Sequence, residues 1–148
     1  ISSLGENYIV VVVNGVGYQI YTITNRQSYT PGETVFIHTH LAVRENALDL
    51  YGFLELDELN FFELLLNVPK IGPKSALQIL NQADVSLLSS AIMQQDADHL
   101  HKMSGIGKKT AGNLVSYLEG KIDNIIIPPN KNWSFLLIYF IVNICSAK

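Results

Sequence analysis

The chain has 148 residues, a formal net charge of -3 and 48% hydrophobic residues. That length holds one compact domain or two small ones, and that apolar content can fill a core, so disorder is not the default reading. Its single cysteine, Cys145, excludes an intrachain disulfide; with no basic, small-residue leader at the start, a reducing, cytoplasmic setting is expected.

Charge is unevenly divided. Residues 1–65 carry two basic side chains against eight acidic ones, whereas residues 66–148 carry eight lysines against five acids. The halves differ in sign and are expected to differ in task. Tyr8–Val13 is apolar and β-branched, Asn14-Gly15 is a turn signal, and Val16–Ile23 alternates, which predicts a strand-turn-strand unit. Pro31-Gly32 punctuates the chain. Thr34–Val43 and Asp49–Leu54 read as further strands, and short strands with short turns predict a small barrel. From Glu55 the period changes: Leu56, Leu59, Phe62 and Leu66 recur at helical spacing, predicting a helix that runs into Asn67. Helices are also predicted over 74–81, 86–94, 97–103 and 108–118, with Asp84 and Asp96 as N-caps and Gly120 as a stop. Beyond Pro128-Pro129, Trp133–Cys145 is almost wholly apolar, yet its 13 residues fall short of the ~20 that a membrane span needs. An oligomer or core contact, a non-native end and a membrane anchor all fit it, in that order, and no membrane association is expected.

Two stretches match at an offset of 35 residues. Lys70-Ile71-Gly72-Pro73-Lys74-Ser75-Ala76 answers Gly105-Ile106-Gly107-Lys108-Lys109-Thr110-Ala111, and a hydrophobic helix is predicted on both sides of each. A helix ends, a tight hairpin turns, and a new helix starts. Glycine admits positive φ and lets another backbone come close. The new helix opens with unpaired N–H groups and a positive dipole end, which together suit a phosphate. Lys74, Lys108 and Lys109 fall in that first turn, where lysine opposes the dipole; a bound phosphate resolves the conflict. Lys70 stands where Gly105 stands in the second copy, straining or reshaping the first hairpin and adding positive charge. Ala76 and Ala111 are small where the paired helices must pack closely. Such a site reads phosphates and no base identity, because no helix gathers the Arg, Asn and Gln that base readout needs.

These residues, with the strands before them, resemble the RuvA family. The resemblance spans 7–123 and is carried by Val13-Asn14-Gly15-Val16-Gly17-Tyr18, Thr39-His40 through Val43-Arg44-Glu45, Leu50-Tyr51-Gly52-Phe53, and both hairpins. It implies an α+β chain: an OB-fold β-barrel over 1–64, a double helix-hairpin-helix DNA-binding domain over 65–124, and an atypical apolar tail over 125–148 in place of the family's third domain. It implies no catalytic residue, metal or cofactor. It implies a homotetramer holding a four-way (Holliday) junction open, within a branch-migration complex of recombination, DNA repair and the SOS response to DNA damage. Its partners would be a RuvB-type hexameric ATPase motor and a RuvC-type resolvase. Each DNA arm would lie on Lys70, Ile71, Gly72, Lys74, Gly105, Ile106, Gly107, Lys108 and Lys109. Arg44 would be a phosphate contact or a salt-bridge partner. An acidic pin would occupy the junction centre; where the family has two acids, this chain has Glu45 and Asn46. The family also has a longer first strand ahead of Gly5, so that the shortened strand here leaves room for an incomplete barrel, and a motor-binding third domain after Asp123, which Pro128–Lys148 does not resemble.

Other chemistry finds little support. His38 and His40 share a strand face, and His99 and His101 diverge on a helix; no cysteine or acid cluster completes a metal site. No phosphate-binding G-x-x-x-x-G-K-[ST] loop is present, so ATP hydrolysis is not expected of this chain. A helix-hairpin-helix glycosylase shares the second hairpin, but the position of its catalytic aspartate falls near Ile127 and the β-rich first half disagrees with it. A pure protein-assembly module is the remaining alternative.

Overall fold

A computed structural model describes residues 1–25 and 27–122; the predicted tail over 125–148 and Ile127 lie outside the described residues. The architecture is α+β, as expected. Five strands come first: β1 (Ser3–Leu4), β2 (Tyr8–Val13), β3 (Val16–Thr22), β4 (His38–Arg44) and β5 (Ala47–Phe53). They form one OB-like sheet in the order β1-β2-β3-β5-β4. β2 and β3 pair antiparallel through Asn14 and Gly15, whose φ angles of +51° and +83° are those a tight two-residue hairpin requires. β5 runs parallel to β3 and antiparallel to β4.

The sheet is open, in keeping with a shortened first strand: the edge strands β1 and β4 are not paired with each other. β1 pairs over only two residues, and just ahead of it the Gly32 N–H donates to the Ile1 carbonyl at 2.8 Å. Two strand limits differ from expectation. The strand predicted from Thr34 begins at His38, because His38 pairs with Phe53, the last residue of β5. Thr34–Ile37 lie beyond that partner, and a strand exists only where a neighbour takes its hydrogen bonds. β5 starts at Ala47, earlier than Asp49, because Arg44 pairs with Ala47 across a tight turn made of Glu45 and Asn46.

Five helices follow: α1 (Leu56–Leu66), α2 (Pro73–Gln82), α3 (Val85–Met93), α4 (Ala97–Ser104) and α5 (Lys108–Leu118). Asp84 and Asp96 cap α3 and α4, each side chain accepting from the amide three residues on, at 2.8 Å. The apolar face of α1 joins the layers. Phe62 is fully buried against Tyr51, Phe53 and His40, at ring distances of 5.2, 5.0 and 5.5 Å. One continuous core therefore runs from Ile23, Tyr51 and Phe53 through α1 into the other helices. Burial pushes the Tyr51 hydroxyl above the ordinary phenol range. Ala76 and Ala111 are fully buried, as the predicted close packing requires. Asn81 on α2 accepts the Thr24 amide at 2.9 Å through its side-chain oxygen, fixing that helix against the end of the sheet.

Candidate nucleic-acid interface

Each predicted hairpin joins two helices: 67–72 links α1 to α2, and 105–107 links α4 to α5. The first is closed by backbone turns. Asn67, Val68 and Ile71 donate to Leu64, Leu65 and Val68 at 3.0–3.1 Å. Lys70 sits at φ +71° and Gly105 at φ +66°, so the lysine holds the same left-handed conformation as the glycine it replaces. A non-glycine residue pays about 1–2 kcal/mol to stay there. The second hairpin is held differently: the His101 ring nitrogen Nδ1 bonds to the Ile106 carbonyl.

The amides of both hairpins are arranged alike. Gly72 and Gly107 are the extended N-cap residues of α2 and α5, and neither helix carries a side-chain cap. The first intrahelical bonds run from Ala76 to Gly72 and from Ala111 to Gly107, at 2.9 Å. The amides of Lys74 and Ser75, and of Lys108, Lys109 and Thr110, precede them and have no helical carbonyl to donate to. Lys70, Lys74, Lys108 and Lys109 are all exposed. A Cβ built on Gly72 or Gly107 meets nothing within 4 Å. Their φ angles of -98° and -62° are open to any residue. The fold therefore has no need of glycine at either point. An outside surface that must approach the backbone does.

The remaining predicted residues fall in different places. Ile71 is buried and its amide is already engaged, so it anchors its turn to the core; Ile106 is half-buried. Arg44 is ion-paired with Asp49 across the β4–β5 ribbon, which settles the partner it has within the chain. Lys108 lies 3.6 Å from Asp98, with both side chains about three-quarters exposed, and such a pair holds the lysine only weakly. Glu45 and Asn46 are exposed at the tip of the ribbon. β3 pairs with β5 only over Leu50–Gly52, so β5 residues 47–49 and their β4 partners project past the sheet by about 10 Å. His40 contacts Glu63 at 3.0 Å while His38 packs on Phe36, so the two histidines do not converge on one point. Among the described residues no three His, Cys, Asp or Glu side chains gather as a metal site, and no helix is long and apolar enough to cross a membrane. Sequence reasoning missed the His101 contact; its only local sign was a histidine placed one turn before a glycine hairpin.

Comparison with known proteins adds to this geometry. Residues 1–52 match the RuvA N terminal domain, and residues 62–119 match the SAM-like helix-hairpin-helix tandem. The chain is 43% identical over 116 residues to the Holliday junction branch migration complex subunit RuvA of Alkaliphilus oremlandii, covering 78% of this chain and 60% of that protein. The proteins of the same name from Latilactobacillus sakei and Lactiplantibacillus plantarum are each 42% identical, over 127 and 126 residues, covering 84% of this chain and 62% of theirs. The chain thus spans 60–62% of the length of these relatives.

Proposed function

The chain belongs to the RuvA family over the part its relatives share with it, and from that premise we propose that it binds four-way junction DNA without sequence preference. It does so as a non-catalytic subunit of a branch-migration complex in the cytoplasm, beside a separate RuvB-type ATPase chain. One observation carries the reading: two hairpins present uncapped helix amides and exposed lysines behind glycines that the fold itself does not need. Phosphate oxygens fit that combination, since amides, helix dipole and lysines all favour an anion that can come close. The proposed contacts are Gly72, Lys74, Gly107, Lys108 and Lys109, with Lys70 and Gly105 shaping the turns. In this reading the chain divides into 1–64 and 65–124, with the boundary inside α1, the helix that ties both parts to one core.

Assembly as a homotetramer would bring four Glu45–Asn46 tips to the junction centre. Carboxylates there repel phosphates and disfavour a continuous duplex. Two like charges about 10 Å apart repel by only about 0.4 kcal/mol in water, more where water is excluded. This chain brings one acid per tip, and Asn46→Asp restores a second. That variant should raise the ratio of junction to linear-duplex affinity by a few-fold; an unchanged ratio would remove the pin from the account.

The direct test is a gel-shift comparison of a four-way junction with linear duplex at two salt concentrations, with the solution mass measured alongside. A junction-preferring tetramer whose affinity falls steeply with salt is expected. Indifference to branched DNA at low salt would favour the protein-assembly alternative. A narrower test replaces both Gly72 and Gly107 by alanine. Because neither added methyl meets the chain, the melting temperature should change little, while junction affinity drops about tenfold through lost close approach. Unaltered binding would mean that the backbone at these turns is not approached.

A further inference from the structure

We infer that His101 is a positioning residue for the second hairpin: its ring fixes the Ile106–Gly107 peptide so that the Gly107 amide faces outward. This rests on the phosphate-binding reading above and names how one of its two sites is held in shape.

The argument starts from the hydrogen bond between His101 Nδ1 and the Ile106 carbonyl. A carbonyl oxygen only accepts, so Nδ1 is the donor in this bond. The Ile106–Gly107 peptide is trans. In a trans peptide the C=O and the following N–H point to opposite sides of the chain. Holding the Ile106 oxygen toward the half-buried His101 therefore turns the Gly107 N–H the other way. Gly107 is exposed and is the N-cap of α5.

The first hairpin lacks this device. The position 35 residues before His101 is Leu66, which has no donor to offer. That turn is closed instead by the Ile71 amide on Val68, at 3.1 Å, and by the buried Ile71 side chain. Gly105 at φ +66° leaves the second hairpin with a residue of high conformational freedom next to Ile106. A side-chain hydrogen bond from the preceding helix supplies the missing restraint. The two repeats thus match in φ at Lys70 and Gly105, and it is the second that is held by a side-chain hydrogen bond to a carbonyl of the hairpin.

The test compares His101→Phe, which keeps a ring and removes the donor, with His101→Asn, whose amide nitrogen sits close to where Nδ1 was. His101→Val, smaller and equally unable to donate, carries the same expectation as phenylalanine if the larger ring perturbs α4. Loss of one hydrogen bond should lower four-way junction affinity about three- to tenfold in the phenylalanine and valine variants, and asparagine should restore it to within about twofold. Without DNA, the amide resonance and hydrogen exchange of Gly107 should change in His101→Phe, return in His101→Asn, and leave Gly72 unmoved. Combined with Lys109→Ala, His101→Phe should be less than additive, because both act through one site; combined with Lys74→Ala it should be additive. A Gly107 amide unmoved by His101→Phe, wild-type affinity in both donor-free variants, or an asparagine variant as weak as phenylalanine would overturn the inference. A wild-type chain that ignores DNA would instead overturn the phosphate-binding reading, whatever the Gly107 amide does.

Discussion

Replacing Lys108 and Lys109 together by glutamate should weaken binding to a four-way junction by about 100-fold or more while leaving the fold slightly more stable. The two effects have opposite signs for one physical reason. Both lysines open α5, where the helix dipole presents positive charge, so each ammonium is unfavourable to the helix and each carboxylate would be favourable, by about 0.3–1 kcal/mol. A phosphate reverses the preference. Hydrogen bonds from charged donors are worth about 1.5–3 kcal/mol each, and two are lost here and replaced by repulsion. The plot of log affinity against log salt should also flatten by about two, one for each removed phosphate contact. Gel shift over a salt series and a thermal melt read the two arms separately. The Asp98 pairing does not alter the expectation, because an ion pair so exposed gives up its lysine at small cost. A variant that melts as expected yet binds as tightly as wild type would return the chain to the protein-assembly alternative.

Phe62→Ala should destabilise the chain by about 3–5 kcal/mol. The ring is fully buried and lies within 5.5 Å of the rings of Tyr51, Phe53 and His40. Its removal costs the transfer energy of the ring and leaves a cavity between the sheet and α1 that a backbone held on both sides cannot close. For a chain of this size the melting temperature should fall by about 10–20 °C. Denaturant melts of both forms measure the difference. A loss below about 1 kcal/mol would mean that the sheet and helices do not share one core. The contrast with the lysine variant is informative: one substitution strikes the body that holds the hairpins, the other only the charge they present.

The hairpins were legible because their signals are local. Matched glycines, lysines and alanines at one offset need no knowledge of distant partners, and the structure places both turns between helices as expected. Asp84 and Asp96 were legible as caps for the same reason, since a cap reaches only three residues. Lys70 is the instructive case. Its sequence suggests a strained or differently shaped first turn, and φ +71° matches Gly105 while being strained for a lysine, because the surrounding turn bonds and the buried Ile71 hold the backbone in a conformation that lysine alone would avoid.

Strand limits were less legible. Thr34–Ile37 have the composition of a strand and lack the neighbour, because β5 ends at Phe53 and the chain turns into α1. The open sheet was foreshadowed by the shortened first strand, but which edges stay unpaired depends on whether two distant strands meet. The role of Arg44 was left open between phosphate and carboxylate, and the register that brings it to Asp49 decided its partner within the chain. Periodicity, turn chemistry and the twin hairpins thus follow from amino-acid order alone, because each acts within a few residues. Pairing, edge closure and the grip of His101 on Ile106 belong to the folded chain, because each requires two segments to arrive at one place.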